Sequence, residues 1–384
     1  MPPHYARTID GMTAVTEDNP YRSPLLARPG AAELPDAATS PLDAAGVAWH
    51  YGDPLGEQRV LSTGPVLVDR SHRAVIAVTG PDAPAFLNNI LSQKLDDAPP
   101  AFSGSALDLD IRGHILHHAD VYLDSGTDGA TYYLDMPSRQ RSTFVDFLRR
   151  MVFWSDVTIE ETDLGILTVL APAGASESPA ITSVFTRRVP GWSSPQRWDV
   201  AVERSDISRA VEEFTRAGGA LAGLMAFTAE RVRAGEPELG VDLDDKSIPH
   251  EAPRLINRGE HIGAVHLAKG CYRGQETVAR VENLGRPPRL LVLVHLDGSA
   301  PVDPVPGAEL TLGGRTVGRL GTVVHDADYG PIALALVKRT AIGHGDLTAE
   351  GDTPVAASID PDSLPTDEGE KAGRRAVEKL RGQQ

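Results

Sequence analysis

Hydrophobic positions in this chain change their spacing repeatedly, from alternation to helical recurrence and back, and each change marks an element. In "GPVLVDRSHRAVIAVTGPDAPAFLNNILSQKL" the apolar run from Val75 to Val78 predicts a strand. Gly80-Pro81-Asp82 then predicts a helix start, and Phe86, Leu87, Ile90 and Leu91 fall on one helical face. "ALDLDIRGHILHHADVYL" reads as a hairpin. Leu107, Leu109 and Ile111 alternate, Arg112-Gly113-His114 supply the turn, and a second strand runs from Ile115 to Leu123. Side chains alternate across a strand, so Ile115, His117, Ala119 and Val121 share one face. Leu116, His118, Asp120 and Tyr122 take the other. "TYYLDMP" is a third strand, after which Pro137-Ser138 opens a helix with Phe144, Phe147, Leu148 and Met151 as its apolar stripe.

A second pass of similar elements follows. "LGILTVLAP" and "RWDVAVE" predict strands, and Asp206 is expected to cap a helix carrying Ile207, Ala210, Val211 and Phe214 that stops at Gly218-Gly219. Single helices alternate with strands while hairpins are also present, so the class is α+β. After "VENLGRPPR" the helical period disappears. "RLLVLVHLDG", "AELTLGG", "RTVGRLGTVVHD", "YGPIALALVKR" and "TPVAASID" are short strands between Gly, Pro and Asp turns, the pattern of a small β-barrel. Residues 1–60, rich in Pro, Ala, Asp and Ser and poor in periodicity, are expected to form a mostly flexible extension. The remaining divisions are a first α+β subdomain at 61–160, a second at 161–285, the barrel at 286–361 and a charged tail at 362–384.

Composition narrows the function classes. The 384 residues are 41% hydrophobic and 23% charged, ordinary globular values. With 53 acidic against 37 basic residues the formal net charge is −16, which disfavours generic nucleic-acid binding. The start, "MPPHYARTID", lacks the basic-then-apolar pattern of a leader, and no apolar run approaches the ~18 residues of a membrane span. A soluble cytoplasmic protein without membrane or nucleic-acid partners is the expectation. His117 and His118 point to opposite faces and cannot easily share a metal, and one cysteine gives no cluster-binding set, so no metal site is expected.

That cysteine, Cys271, lies in "KGCYRGQETVAR". Lys269 and Arg273 flank it, and both would favour the thiolate. "QETVARVENLG" reads as a helix, with Val278, Val281 and Leu284 at three-residue spacing and Gly285 as its stop, so Cys271 sits just ahead of a helix N-terminus. Gly270 and Gly274 permit backbone conformations or approaches that a β-carbon would block. On the residues alone, an exposed activated thiol and a small buried hydrophobe both remain open.

The same stretch resembles the signature of the YgfZ family, folate-binding relatives of the glycine-cleavage T-protein. The family pattern, in these residues, is Lys269-Gly270-Cys271-Tyr272, any residue, Gly274-Gln275-Glu276, then Val278-Ala279-Arg280. The resemblance extends over roughly residues 65–360, through "VTGPDAPAFLNNILSQKL", the hairpin, and "ERVRAGEPELGVDLDDKSIPHEA". It implies a T-protein-like (GcvT-like) folate-binding fold, with mixed sheets and helices around a central channel and a C-terminal β-barrel. Tetrahydrofolate, or another reduced folate, is the implied cofactor, with His118, Asp120, Tyr122 and Arg231 near it. Cys271 at the channel mouth is the implied functional centre, kept ionised by Lys269 and Arg273. Gly270, Tyr272, Gly274, Gln275, Glu276 and Arg280 complete the motif.

Two departures from active T-proteins bear on chemistry. Their catalytic Asp-Asp pair falls at His117 and His118 here, and a glutamate that grips the pterin ring is replaced by Arg233. The resemblance therefore implies an accessory protein of iron–sulfur cluster assembly or repair, with iron–sulfur enzymes as clients, and leaves open whether it is an enzyme. An aminomethyltransferase or demethylase-type enzyme is one alternative, and a non-catalytic interaction protein on the same scaffold is another.

Overall fold

A computed structural model describes residues 21–126, 129–175 and 177–365. The expectations for residues 1–20 and for most of the charged tail lie outside the described residues. In chain order the first half holds α1 (Pro54–Val60), β1 (Val66–Arg70), β2 (Ala74–Thr79) and α2 (Ala83–Ile90). The hairpin follows as β3 (Ser103–Leu109) and β4 (Ile115–Gly126), then β5 (Gly129–Met136), α3 (Arg141–Met151) and β6 (Thr158–Glu161). The second pass is β7 (Leu164–Ala171), β8 (Phe185–Ser193), β9 (Gln196–Glu203), α4 (Ile207–Arg216), β10 (Ala220–Ala222) and α5 (Leu224–Arg233). The last helix, α6 (Gln275–Leu284), precedes the barrel strands β11 (Arg289–Leu296), β12 (Glu309–Leu312) and β13 (Arg315–Asp326). The barrel ends with β14 (Gly330–Lys338), β15 (Leu347–Ala349) and β16 (Val355–Ile359).

One sheet has the order β3-β4-β5-β2-β6, a second β10-β1-β7-β9-β8, and β11-β14-β13-β12-β15-β16 close into the barrel. The barrel forms as expected, with β15 added, a three-residue strand too short to leave an alternating signature. Each sheet buries one face under helices. Phe86 and Leu87 of α2 and Phe144 and Leu148 of α3 pack on Ala106, Ala119 and Val121 of the hairpin. Ile207, Val211 and Phe214 of α4 cover Leu167, Val169 and Val200 of the second sheet. Burying each such large side chain contributes about 1.5–3 kcal/mol. Asp206 precedes α4 as expected but makes no side-chain cap bond; it pairs instead with Arg209 at 2.8 Å.

Three expectations are corrected. Residues 21–60 are not flexible: Leu25, Leu42, Ala44, Val47 and Ala48 are buried, and Ala32 pairs with His50. Glu57 ties this strap to the fold by accepting from the Tyr51 N–H at 2.7 Å and the Gly223 N–H at 2.8 Å. Small apolar residues in irregular backbone show no period, so the strap reads as linker in sequence. Second, 61–160 is not a self-contained unit. β1 pairs with β7 and, in parallel, with β10, both from the second half. Third, the Cys271 loop packs chiefly on elements of the first half rather than on those of 161–285, through Lys269 to α2 and Arg273 to β3. No helix of the described residues is long and apolar enough to cross a membrane.

Candidate functional site

The inner faces of the two sheets meet over a small apolar patch, in which Tyr122 stacks on Phe185 with ring centroids 4.7 Å apart. Next to it the interface is ionic. Asp120 on β4, Asp135 on β5 and Asp199 on β9 bring carboxylate oxygens within 4.8 Å of one another. Arginines fill the gap between them. Arg73 Nε donates to Asp135 at 2.6 Å, and Arg187 and Arg197 donate to Asp199 at 2.6 and 2.8 Å. Asp120 is paired with Arg187 at 3.3 Å, Arg73 at 3.6 Å and Arg197 at 3.9 Å. Burial would raise the Asp199 carboxyl, but Arg197, Arg187 and Arg70 outweigh it and hold the group far below the usual carboxylate range. A cation has no place in a cluster already neutralised in this way.

Beside this network lies a narrow polar cavity of about 50 Å³, with a smaller lobe of about 30 Å³ beyond His118, Asp120 and Glu236. The strap supplies part of its wall through Leu42, Asp43, Ala44 and Trp49, a contribution that sequence periodicity could not signal. Besides Asp43 Oδ2, which is ion-paired with His72 at 3.2 Å, three buried polar atoms on the walls have no hydrogen-bond partner among the described residues: His72 Nδ1, His118 Nε2 and Gln140 Nε2. His72 Nε2 donates to the Asp43 carbonyl at 2.8 Å, which leaves Nδ1 as the unpartnered ring nitrogen. Gln140 Oε1 accepts the His118 backbone N–H at 2.9 Å, which leaves its amide as a donor. Burial pushes His118 below the usual histidine value, so its ring is held neutral. Buried polar atoms normally find partners, so these three mark where a polar ligand or water would bind.

The expected ligand residues divide accordingly. His118 and Asp120 line the cavity, and Arg231 does too. The Arg231 guanidinium, however, donates to the Glu236 carbonyl and Asp242, both at 2.7 Å, and to Thr322 of the barrel at 2.5 Å. Its role is to tie α5 to the barrel. Tyr122 does not line the cavity; its ring is spent on the contact with Phe185. Arg233 pairs with Glu230 at 3.1 Å and lies over Tyr329 of the barrel, away from the cavity. Burial raises Glu230 to about 7.

The Cys271 thiol is exposed, which decides against the buried hydrophobe. Its loop is held on the side of the first sheet opposite the cavity. Lys269 donates to the carbonyls of Asn88 and Leu91 at the end of α2, and burial lowers its ammonium to about 8. Arg273 donates to Asp108 at 2.5 Å and packs over Phe147 of α3. Both cations, expected to serve the thiol, are thus committed to anchoring the loop. Asp108 and His117 sit opposite each other on β3 and β4, on the face that packs against α2 and α3. The channel-mouth position expected for Cys271 is corrected: no residue of 269–275 lines the cavity.

A chain of hydrogen bonds nevertheless crosses between the two places. From Asp108 it passes to His117 Nδ1 at 2.8 Å, then from His117 Nε2 to Thr143 at 2.9 Å. Thr143 donates to the Gln140 carbonyl at 3.2 Å, and Gln140 lines the cavity. Gly274 fixes the loop's exit into α6. It has φ +81°, and a β-carbon there would meet the Asp110 carbonyl oxygen at 2.6 Å. Gly274→Ala is expected to cost about 1–3 kcal/mol through strain at positive φ and that clash. A urea midpoint unchanged from wild type would count against it.

The comparisons with known proteins agree with this architecture. Residues 289–365 match the model of the CAF17 C-terminal beta-barrel domain. Crystalline glycine cleavage system aminomethyltransferase T from Bartonella henselae superposes with a TM-score of 0.70 at 18% identity, covering 87% of this chain and 94% of that one. The iron-sulfur cluster assembly factor IBA57, mitochondrial, of Mus musculus is 29% identical over 315 residues, 77% of this chain and 84% of the relative. The tRNA-modifying protein YgfZ of Klebsiella pneumoniae (strain 342) is 26% identical over 264 residues, 65% of this chain and 77% of the relative. The fold is therefore that of the T-protein with a closed six-stranded C-terminal barrel. Within that class, the chain is similar in sequence, over most of its length, to the YgfZ and IBA57 proteins.

Proposed function

We infer that this protein is an accessory factor of iron–sulfur cluster assembly or repair that binds a reduced folate between its sheets and works through Cys271. The observation that carries the reading is the exposed sole cysteine, set on a loop anchored at both flanking cations. Similarity to iron–sulfur cluster assembly factors and the intact KGCYRGQE motif support it. A thiol on the outer side of the sheet suits a cluster or a client protein rather than a one-carbon unit held in the cavity.

The unpartnered polar atoms of the cavity suit the polar edge of a pterin, with His72 offering a ring nitrogen and Gln140 an amide donor. Its present room is far below the ~300 Å³ of an ordinary ligand pocket, so entry of the ring requires the 42–49 wall to give way. When bound, a reduced folate would supply one-carbon or redox chemistry; the chain's own part is to orient it and exclude water. Aminomethyl transfer is disfavoured, because Asp120, the cavity carboxylate on β4, is held among three arginines.

Titration calorimetry with tetrahydrofolate tests the cavity. Saturable binding by wild type and by Cys271→Ser with equal affinity is expected, together with roughly tenfold weakening in Gln140→Leu. Absence of heat at high ligand concentration would favour a non-catalytic interaction protein.

A further inference from the structure

A second recess lies at the junction of the hairpin turn, the 246–251 segment, α6 and the start of the barrel, with a volume of about 770 Å³. Its charge runs against that of the chain. Arg112, Lys246 and Arg280 line it as exposed cations, and none forms an ion pair among the described residues; Glu276 is the opposing exposed carboxylate. Glu251 and Arg289 satisfy each other at 2.8 Å, and His114 is paired with Asp110 at 3.0 Å. Most arginines of this protein are already committed to carboxylates, as in the inter-sheet network. In a chain of formal net charge −16, three free cations around one recess are a local reversal.

The recess also carries an apolar anchor. Ile111 is 81% exposed at the tip of the hairpin turn, and Val281 of α6 lines the same recess. The turn is rigid: Asp110 Oδ1 accepts from the backbone N–H groups of Arg112 and His114, both at 2.8 Å. Gly113 and Gly274 let its base press against α6, where added β-carbons would meet Thr277 at 2.9 Å and the Asp110 carbonyl oxygen at 2.6 Å. Ile111 and Arg112 are thus held out in a fixed geometry, which lowers the ordering cost of binding.

We propose that this recess docks an acidic segment of a partner protein that also carries an apolar side chain. Carboxylates of the segment pair with Arg112, Lys246 and Arg280, and its apolar residue covers Ile111 and Val281. A nucleic-acid backbone matches the cations but leaves the isoleucine uncovered, and the overall charge repels it. The exposed Cys271 is three residues ahead of Gly274, so a segment seated here brings its protein to the thiol side of the sheet. Docking here needs no property of the thiol and is independent of folate binding and cluster chemistry.

Selection of short random peptides displayed on phage against the folded full chain provides the probe. The most enriched peptide is then labelled with fluorescein and titrated by anisotropy. Enriched sequences are expected to combine Asp or Glu with Leu, Ile or Phe. Arg112→Glu/Arg280→Glu, checked for folding by circular dichroism, should weaken the labelled peptide roughly tenfold or more, and Ile111→Ser roughly threefold. Cys271→Ser should leave the affinity unchanged. The proposal is overturned by failure to enrich acidic sequences, by equal affinity in the charge-reversed variant, or by a single-stranded RNA that displaces the peptide.

Discussion

Arg197→Ala is expected to lower stability by about 3–5 kcal/mol, the largest effect of any single substitution considered for this chain. Arg197 is fully buried and donates to Asp199 through two nitrogens, at 3.0 and 2.8 Å, and to Glu236 at 2.8 Å. Its removal leaves the buried Asp199 and the half-buried Glu236 short of a partner, and the desolvation of Asp199 is no longer offset. A domain is stable by only about 5–15 kcal/mol, so the variant should unfold at much lower urea or accumulate poorly. The exposed pair Arg22–Glu33, at 2.7 Å, provides the contrast. Arg22→Ala should cost less than about 1 kcal/mol, because water already solvates both charges. Equal urea midpoints for the two variants would refute the assignment.

The same network sets the acid limit. In the folded protein Asp199, Glu236 and Asp43 are all held below the usual carboxylate range. Burial opposes the shift, while arginines cause it for Asp199 and Glu236, and His72 leads for Asp43. A depressed carboxylate adds stability that is fully present above its unfolded value of about 4 and is lost as pH falls towards the folded value. Stability should therefore decline steeply below pH ~4 in wild type, and less steeply in a double variant, Arg197→Met/Asp199→Leu, that removes the pair together.

Cys271→Ala should have the opposite profile, with no measurable loss of stability and a large loss of function. The side chain is exposed and makes no hydrogen bond among the described residues, so the change in stability should stay within about 0.5 kcal/mol. In a deletion strain the variant is expected to leave iron–sulfur enzyme activity at the deletion level, while wild type restores it. Full restoration by Cys271→Ala would end the central role given to the thiol. Asp108→Asn separates anchoring from chemistry. It weakens the hold on Arg273 and His117 while keeping the thiol, and should reduce activity only in part.

Much of the fold was legible because it is written in local periods. The alternation from Ile115 to Tyr122 placed His117 and His118 on opposite faces, and the structure shows one packed under α3 and the other lining the cavity. The barrel strands and the helix starting beyond Gly274 were equally legible from turns and apolar spacing. Residues 21–60 were not, since irregular backbone imposes no period on its buried residues. Lys269 and Arg273 show the limit of reading charges by adjacency. Each is near Cys271 in sequence, yet long side chains reach whatever carbonyl or carboxylate the fold presents, here Asn88, Leu91 and Asp108.

The sequence by itself determined the element types, the barrel and the motif that holds the chain's one cysteine. These depend on contacts within a few residues or on residue identity alone. Only the tertiary structure decided that β1 joins the second half's sheet, that the N-terminal strap walls the cavity, and that the thiol loop lies across the first sheet from it. Each of those placements rests on pairings between residues far apart in the chain. Burial of charge and apolar surface selects such pairings among many that local patterning allows equally well.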